Sequence, residues 1–417
     1  MIVRYISKTL LAIAIVFAGW HSAKAQETIK MGALATLEGA FTVLGEEGMR
    51  GVEMALEEFG YEAGGKTIEL VTGSSDASPD SALRAARKLV EQDGVPILVG
   101  PLSGSEGLAL KDYAKTHPDV TFINGSSAAQ DTTLREPAEN FFRFTGDGAQ
   151  WLAGLGEYAY NEKGYRNLAV LAEDYSFPYT QVFGFLEPFC RLGGKAPADA
   201  RFWVPIGNND YSSVIAALPD DVDAIFVALG GADAVKFLTQ YGQAGGELPL
   251  VGGTITVDQS VLGSKGRIRD QVIGTPSAGP ISDTWDNPAW REFQDEYRER
   301  FPDGFPSPSL FAHSYYISTK AALLALDEVN GDLSDGGKAY RRALANLEFE
   351  TPTGKVSLDE RRNAVADVFL TEVTVDDAGN LANETVRVIP QVNQTLGLPY
   401  EEFLAYGQVS RENPSCE

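Results

Sequence analysis

The sequence is poor in cysteine, in histidine and in positive charge. Its 417 residues include two cysteines, three histidines, and 34 lysines and arginines against 58 aspartates and glutamates. The resulting formal net charge of −24 opposes binding to nucleic acid or to anionic lipid surfaces, where a basic patch is expected. It does not exclude an anionic ligand, because local dipoles decide the chemistry of a pocket.

Residue patterns typical of catalysis or of metal binding are also missing. The two histidines after residue 25, His117 and His313, form no histidine–carboxylate cluster with metal-ligand spacing. Residues 100–104 do not match the Gly-x-Ser-x-Gly turn of serine hydrolases. The glycines at 45, 48 and 51 do not match the dinucleotide fingerprint, and no segment matches the P-loop. The sequence therefore predicts no enzymatic activity, no cofactor and no metal site.

The chain has no apolar run long enough to span a bilayer, which takes about 20 residues. A shorter run at residues 10–18 follows Arg4 and Lys8, and residues 23–25 have the small-x-small pattern of a signal-peptidase site. We therefore expect a signal peptide over residues 1–25. Its cleavage would leave an exported, periplasmic protein that begins at Gln26.

Export to an oxidising compartment permits a disulfide. Cys190 and Cys416 allow a single intramolecular pairing, which would tie the end of the chain to its middle. Two unpaired thiols are the alternative, since the sequence does not fix the required Cβ separation of about 4 Å.

The mature chain is too long for one ordinary core and predicts two domains of about 200 residues each. Short β-branched runs alternate with longer helical patterns, which favours parallel sheets covered by helices on both faces. Strands are predicted at residues 29–33, 68–72, 97–100, 121–124, 168–172, 224–228, 249–252 and 365–375. Helices are predicted at 48–59, 81–92, 107–115, 149–161, 180–192, 211–218, 233–244, 310–330 and 338–347. The polar stretch 376–417 is expected to wrap the surface.

In parallel α/β sheets, ligands lie beyond the carboxyl ends of the strands, near helix N-termini that favour anions. Three loops occupy such positions. The loops at 101–105 and 125–129 supply Ser103, Ser105, Ser126 and Ser127, and the loop at 173–179 supplies Tyr175, Phe177 and Tyr179. Instead of binding a ligand, the serines of the first two loops could cap helices at their N-termini. The aromatic residues of the third loop could likewise simply pack in the protein interior.

Six segments, in this order and spacing, resemble the periplasmic branched-chain amino acid (Leu/Ile/Val)-binding proteins of ATP-driven (ABC) importers. They are Met-Gly-Ala at 31–33, Gly-Glu-Glu-Gly-Met-Arg-Gly at 45–51, Val-Gly-Pro-Leu-Ser-Gly-Ser at 99–105, Ile-Asn-Gly-Ser-Ser-Ala at 123–128, Asp-Tyr-Ser-Phe-Pro-Tyr at 174–179 and Thr-Gly-Lys-Val-Ser-Leu-Asp at 353–359. The resemblance covers nearly all of residues 27–377.

The resemblance implies an α/β fold of two doubly wound parallel-sheet lobes joined by a three-stranded hinge. Lobe 1 would comprise residues 26–147 and 278–353, and lobe 2 residues 148–277 and 354–417. A small carboxylate would bind in the cleft, and the closed protein, expected to be a monomer, would deliver it to a membrane permease.

By position in the family pattern, Ser103 or Ser105 would hold the ligand carboxylate, with backbone groups from residues 126–128. Tyr175, Phe177 and Tyr179 would wall the pocket, together with Phe41 or Leu44.

Two departures from the family pattern bear on the ligand. Thr254 stands where amino acid binders place an acidic residue against the ligand ammonium, and Ala128 stands where a threonine is common. Either Asp174 or Asp233 replaces the missing anion, or the ligand is an aromatic or other carboxylate without an amino group. A ligand-sensing module that feeds a signalling receptor is a further alternative.

Overall fold

The computed structural model describes residues 27–264 and 268–417, so the predicted signal peptide lies outside the described residues. Two mainly parallel sheets and the helices that cover them confirm the predicted α/β class. Within the described ranges, no helix is both long and apolar enough to span a membrane.

The first sheet has the strand order β2-β3-β1-β4-β5-β6, and all its neighbours are parallel except β2 and β3. Its strands are β1 (Thr28–Thr36), β2 (Glu62–Ala63), β3 (Lys66–Ser75), β4 (Ile97–Val99), β5 (Thr121–Ile123) and β6 (Phe141–Phe142). The helices within this part of the chain are α1 (Thr42–Glu58), α2 (Pro79–Arg87) and α3 (Gly104–Ala114).

The second sheet has the order β10-β9-β7-β8 and is parallel throughout. Its strands are β7 (Leu168–Glu173), β8 (Arg201–Val204), β9 (Ala224–Ala228) and β10 (Leu250–Gly252). The accompanying helices are α4 (Gly148–Trp151), α5 (Leu155–Asn161), α6 (Ser176–Arg191), α7 (Ser212–Ala217), α8 (Gly231–Gln243), α9 (Gln259–Leu262) and α10 (Arg269–Val272).

The rest of the chain adds an antiparallel sheet and four helices. The strands are β11 (Pro276–Gly279), β12 (Phe349–Thr351), β13 (Gly354–Leu358), β14 (Ala364–Val375) and β15 (Leu381–Val392). The helices are α11 (Pro288–Arg300), α12 (Leu310–Glu328), α13 (Lys338–Asn346) and α14 (Tyr400–Leu404).

Every predicted strand is present. Most of them are buried apolar runs, whereas β3 and β14 also carry half-buried and exposed residues. The helix predicted at 149–161 is instead divided into α4 and α5 at Gly154, whose φ of 81° is left-handed. The stretch 376–417 was expected only to wrap the surface. It contains β15, which pairs with β14 along its length.

The glycines at 45, 48 and 51 explain how α1 packs. A Cβ on Gly45 would overlap the backbone of Thr36 at the end of β1, and one on Gly51 would overlap the carbonyl oxygen of Ala312 in α12. The spacing of three residues places these glycines on one helix face. Their function is therefore the close approach of α1 to β1 and α12.

Three segments connect the two parallel sheets. The first follows β6, the second follows β11, and the third is β14 itself. Ala364 at the start of β14 packs in the core of the first sheet, whereas Val368 and Leu370 pack in the core of the second. Val356 also lies in the first core, so we propose that the third crossing lies at residues 364–368 and not at 353–354. The other predicted lobe boundaries stay predictions.

The buried guanidinium of Arg143 holds the first crossing. Its nitrogens donate to Asn363 Oδ1, Ala129 O and Thr133 Oγ1, each at 2.6 Å. The carboxylate of Asp147 lies 3.7 Å away, and both side chains are fully buried. Burial lowers the pKa of Arg143 to about 10, so the group remains charged at neutral pH. Removing any one partner would leave a buried polar group or charge unpaired.

His313 in α12 is also buried, and its Nε2 lies 3.0 Å from Thr353 Oγ1. Burial lowers its pKa to about 3, so the folded state holds a neutral imidazole. The unfolded state takes up a proton below about pH 6.5, and stability is therefore lost as the pH falls from there toward 3.

His313→Gln removes this proton uptake while it keeps a polar side chain. Between pH 7.5 and 5, the wild-type chain should lose about 2 kcal/mol more of its free energy of unfolding than the variant. Urea denaturation at the two pH values measures the difference. An equal loss in both proteins would show that His313 does not titrate on unfolding.

Candidate functional site

Side chains from both parallel sheets meet at the carboxyl ends of their strands, around a small cavity. From the side of the first sheet come Phe41, Leu44, Leu102, Ser103, Gly104, Ser126, Ala128 and Phe311; from the second come Tyr175, Phe177 and Ile255; Trp151 follows the first crossing. The cavity is about 20 Å³. That volume holds about one water molecule, whereas small-molecule pockets measure about 300–1,000 Å³. The cleft is therefore closed, and a ligand enters only if the two sides separate or their side chains move.

Aromatic rings cluster at the cleft, and the pair of Phe41 and Tyr175 joins its two sides. The centroids of Phe41 and Tyr175 are 6.2 Å apart, and those of Trp151 and Phe177 are 5.9 Å apart. Tyr175 and Phe177 in turn lie 6.2 Å from each other. Such a pair adds about 0.5–1.5 kcal/mol beyond its buried area, so the contact between Phe41 and Tyr175 stabilises the closed form.

In the first serine loop, Ser103 is the N-cap of α3. Its Oγ accepts from Glu106 N at 3.4 Å and donates to Ala77 O at 2.9 Å, and Glu106 Oε2 accepts from Ser103 N at 2.9 Å. This reciprocal capping box uses the Ser103 hydroxyl in the protein itself. Ser105 lies outside the lining, and its Oγ is 3.2 Å from Ser176 Oγ of α6 on the other side of the cleft.

The second serine loop folds back on the first. Ser126 N donates to Pro101 O at 3.1 Å, and Ser126 Oγ donates to Leu102 O at 3.4 Å. Ser126 and Ala128 line the cavity. Ser127 instead points beneath α3, where its buried Oγ has no hydrogen-bond partner among the described residues.

The aromatic loop divides into two parts. Tyr175 and Phe177 line the cavity, but Tyr179 turns away from it. The ring of Tyr179 packs 5.0 Å from that of Trp203, and its hydroxyl donates to Asp174. Arg411 Nε also donates to Asp174, at 2.8 Å. Tyr179 is therefore not part of the wall, and Asp174 is engaged by a cation of the protein.

Thr254 and Asp233 are likewise held away from the cavity. Thr254 Oγ1 donates to Ala278 O at 2.8 Å and accepts from Gln181 Nε2 at 3.0 Å. Asp233 is buried and accepts from Gly207 N at 2.5 Å, with Lys236 Nζ at 3.4 Å. Neither of the predicted replacements for the ammonium partner, Asp174 or Asp233, lies in the lining.

Sequence reasoning missed two buried carboxyl groups close to the cleft. Glu106 lies at the first turn of α3, and Glu173 ends β7 and accepts from Gly230 N at 3.1 Å. Burial is the largest effect on both and raises the pKa of each group. Burial raises the pKa of the Tyr175 hydroxyl, and the nearby carboxyl groups of Glu173 and Glu106 raise it further.

Five further cavity residues were not among the predicted site residues: Leu102, Gly104, Trp151, Ile255 and Phe311. Leu102 and Ile255 lie in loops that follow strands, so the strand-end rule alone would have found them. Trp151 and Phe311 belong to elements whose position depends on the crossings and on the packing of α12. No signal in the sequence assigns them to the cleft.

Comparison with known proteins identifies the fold and its relatives. A family model described as periplasmic binding protein matches residues 28–380. A Leu/Ile/Val-binding protein homolog of Brucella melitensis is 23% identical over 387 residues, 91% of this chain and 96% of the relative. The structure of an ABC transporter substrate-binding protein from Sphaerobacter thermophilus superposes with a TM-score of 0.79 at 29% identity, covering 88% of this chain and 99% of that protein.

A solute-binding protein of Rhodopseudomonas palustris, solved in complex with 3,4-dihydroxybenzoic acid, superposes with a TM-score of 0.80 at 24% identity. The match covers 88% of this chain and 98% of that protein.

The capping role of Ser103 has a measurable consequence. Ser103→Ala removes the side-chain cap of α3 and should lower the free energy of unfolding by about 1 kcal/mol. Ser105→Ala is the matched control, since Ser105 caps no helix and should change stability by less than about 0.5 kcal/mol. Chemical denaturation of both variants without added ligand checks this. Equal losses would contradict the assignment of the cap to Ser103.

Proposed function

The chain belongs to the periplasmic binding protein family, and on that premise we propose that it is the solute-binding component of an ABC importer. Its ligand is a small organic carboxylate with an apolar, preferably aromatic, body. The two sides of the cleft close over this ligand, and the closed form is recognised by a membrane permease.

The composition of the cavity wall carries this proposal. Apolar and aromatic side chains dominate the wall, and among the described residues no charged side chain lines it. An ammonium group buried there would lack a counter-ion, and burial of an unpaired charge is costly. A ligand without an amino group avoids this cost. The Rhodopseudomonas palustris relative, which is bound to 3,4-dihydroxybenzoic acid, supports the same class.

The start of α3 is the proposed carboxylate anchor. Ser103 and Gly104 line the cavity, and the first N–H groups of a helix have no partner within the helix. These N–H groups and the helix dipole attract an anion. Because the hydroxyls of Ser103 and Ser126 already donate within the protein, we assign the contact to the backbone N–H groups at 104 and 105.

An α-amino acid is the second candidate, and Glu173 favours it. This carboxyl group is fully buried, its Oε1 accepts from Gly230 N, and it interacts with the side chain of Tyr175 at the cavity wall. A ligand ammonium beside Tyr175 would stabilise the ionised form of Glu173 and would so supply the missing counter-charge.

The remaining features of the proposal follow from the family and the sequence. Residues 1–25 direct export and are removed, and the mature protein is a periplasmic monomer. Its relatives are solute-binding proteins, and we propose binding, not catalysis, for this chain as well.

Calorimetry on refolded residues 26–417 tests the ligand class. The probes are 3-phenylpropanoate and phenylalanine, which differ only in the amino group, together with benzoate. We expect 3-phenylpropanoate to bind at least about tenfold more tightly than phenylalanine, since the cavity wall offers no counter-charge. The reverse order would favour the amino acid and a role for Glu173.

Two tyrosines of the same loop provide the matched variants. Tyr175→Ala should weaken the binding of the tighter probe by about 1 kcal/mol or more, because a ring in the wall is lost. Tyr179→Ala should change it less than twofold, roughly within 0.5 kcal/mol. Equal weakening by both substitutions would contradict the assignment of Tyr175, and not Tyr179, to the wall of the ligand site.

A further inference from the structure

The C-terminal tail, defined here as residues 393–417, lies beyond the part of the chain that the family model matches. It is fixed at its end by a disulfide between Cys190 of α6 and Cys416, whose Cα atoms are 5.6 Å apart. Arg201 Nη1 of β8 donates to Pro414 O at 2.8 Å, and Ala196 N donates to Cys416 O at 2.8 Å. The end of the tail is thus anchored to the side of the second sheet.

The same side holds the middle of the tail. Tyr406 OH donates to Glu187 Oε1 of α6 at 3.0 Å. The ring of Phe183 in α6 packs against Phe403 and Tyr406 with centroids 5.9 and 5.7 Å apart.

The tail also contacts the first side, at residues 130–135 between β5 and β6. Tyr400 OH donates to Leu134 O at 2.7 Å, and Arg135 Nη2 donates to Gly407 O at 2.7 Å. Gln394 Nε2 donates to Gln130 O and to Thr133 Oγ1, each at 3.0 Å. These bonds give the tail a second set of anchors, on the loop that joins two strands of the first sheet.

We propose that the C-terminal tail is a strap that joins the two sides of the cleft and limits their separation. When the sides rotate apart about the crossings, residues 130–135 move away from α6. The tail then has to release its bonds to that loop, because the disulfide keeps its other end on α6. The strap therefore raises the population of the closed form before any ligand binds.

Hydrogen exchange at one amide, which lies away from the strap, reports the opening of the cleft. Leu310 N, at the start of α12, donates to Asp258 Oδ1 at 2.7 Å, and Asp258 lies in the loop that follows β10. As the first residue of a helix, Leu310 has no intrahelical acceptor for its N–H group. Its hydrogen exchange therefore measures how often the α12 side and the β10 side separate.

Two conservative variants distinguish the effect of the strap from the effect of ordinary surface contacts. Tyr400→Phe removes a tail bond to the first side, and Tyr406→Phe removes a tail bond to the second side; both keep the ring. A net hydrogen bond contributes about 0.5–1.5 kcal/mol, so Tyr400→Phe should speed exchange of the Leu310 amide about two- to tenfold. Tyr406→Phe should leave it within about twofold. Equal rates for Leu310 in both variants and in the wild-type chain would overturn the proposal.

The double variant Cys190→Ser/Cys416→Ser tests the covalent anchor. Without the disulfide, the effective concentration of the tail at residues 130–135 falls, and exchange at Leu310 should accelerate at least as much as in Tyr400→Phe. Amides within β7 serve as the reference, because equal acceleration there reports global unfolding and not cleft opening. The strap would be contradicted if the exchange rate of the Leu310 amide did not change. It would also be contradicted if that rate increased only as much as the rates of the β7 amides. The measurement needs no ligand, so its outcome is independent of the ligand class proposed above.

Discussion

The burial of Arg143 constrains how the two halves of the molecule are joined. A guanidinium with no solvent contact persists only if its donors are matched by fixed acceptors. Here the acceptors come from the loop after β5 and from the start of β14, and the carboxylate of Asp147 begins α4. Gln394 of the tail donates to the same carboxylate at 3.1 Å. The buried cation and its carboxylate thus join four separate pieces of the chain beside the first crossing.

Rigidity at this point allows the cleft to be closed by weak contacts. The rings of Phe41 and Tyr175 form an aromatic pair across the cleft with centroids 6.2 Å apart, and this contact is broken as the halves separate. A ligand with an apolar body would replace this ring–ring contact with its own. In the proposed complex its carboxylate lies at the start of α3, where burial raises the pKa of Glu106 and so disfavours a competing negative charge.

The strands and most helices were predictable because buried apolar runs and helical periodicity are local signals. Whether a given loop residue faces the cleft or the protein interior could not be predicted from the sequence. Tyr175 and Tyr179 are chemically the same, yet the packing of Tyr179 on Trp203 of β8, a strand that was not predicted, turns it away from the cleft. Thr254 was placed near the ligand by its position after β10, but a bond from Gln181 in α6 holds it in the protein interior. β15 was not predicted as a strand because many of its side chains are exposed and its sequence is therefore polar. Each of these outcomes depends on contacts between distant segments.

We infer that the cleft, which has room for about one water, admits its ligand by separation of its two sides and then closes over it. Small-angle X-ray scattering of refolded residues 26–417, with and without saturating 3-phenylpropanoate or phenylalanine, measures this motion. We expect a larger radius of gyration without ligand, which falls on binding to the value of the closed structure. An unchanged radius of gyration for a probe that calorimetry shows to be bound would contradict it.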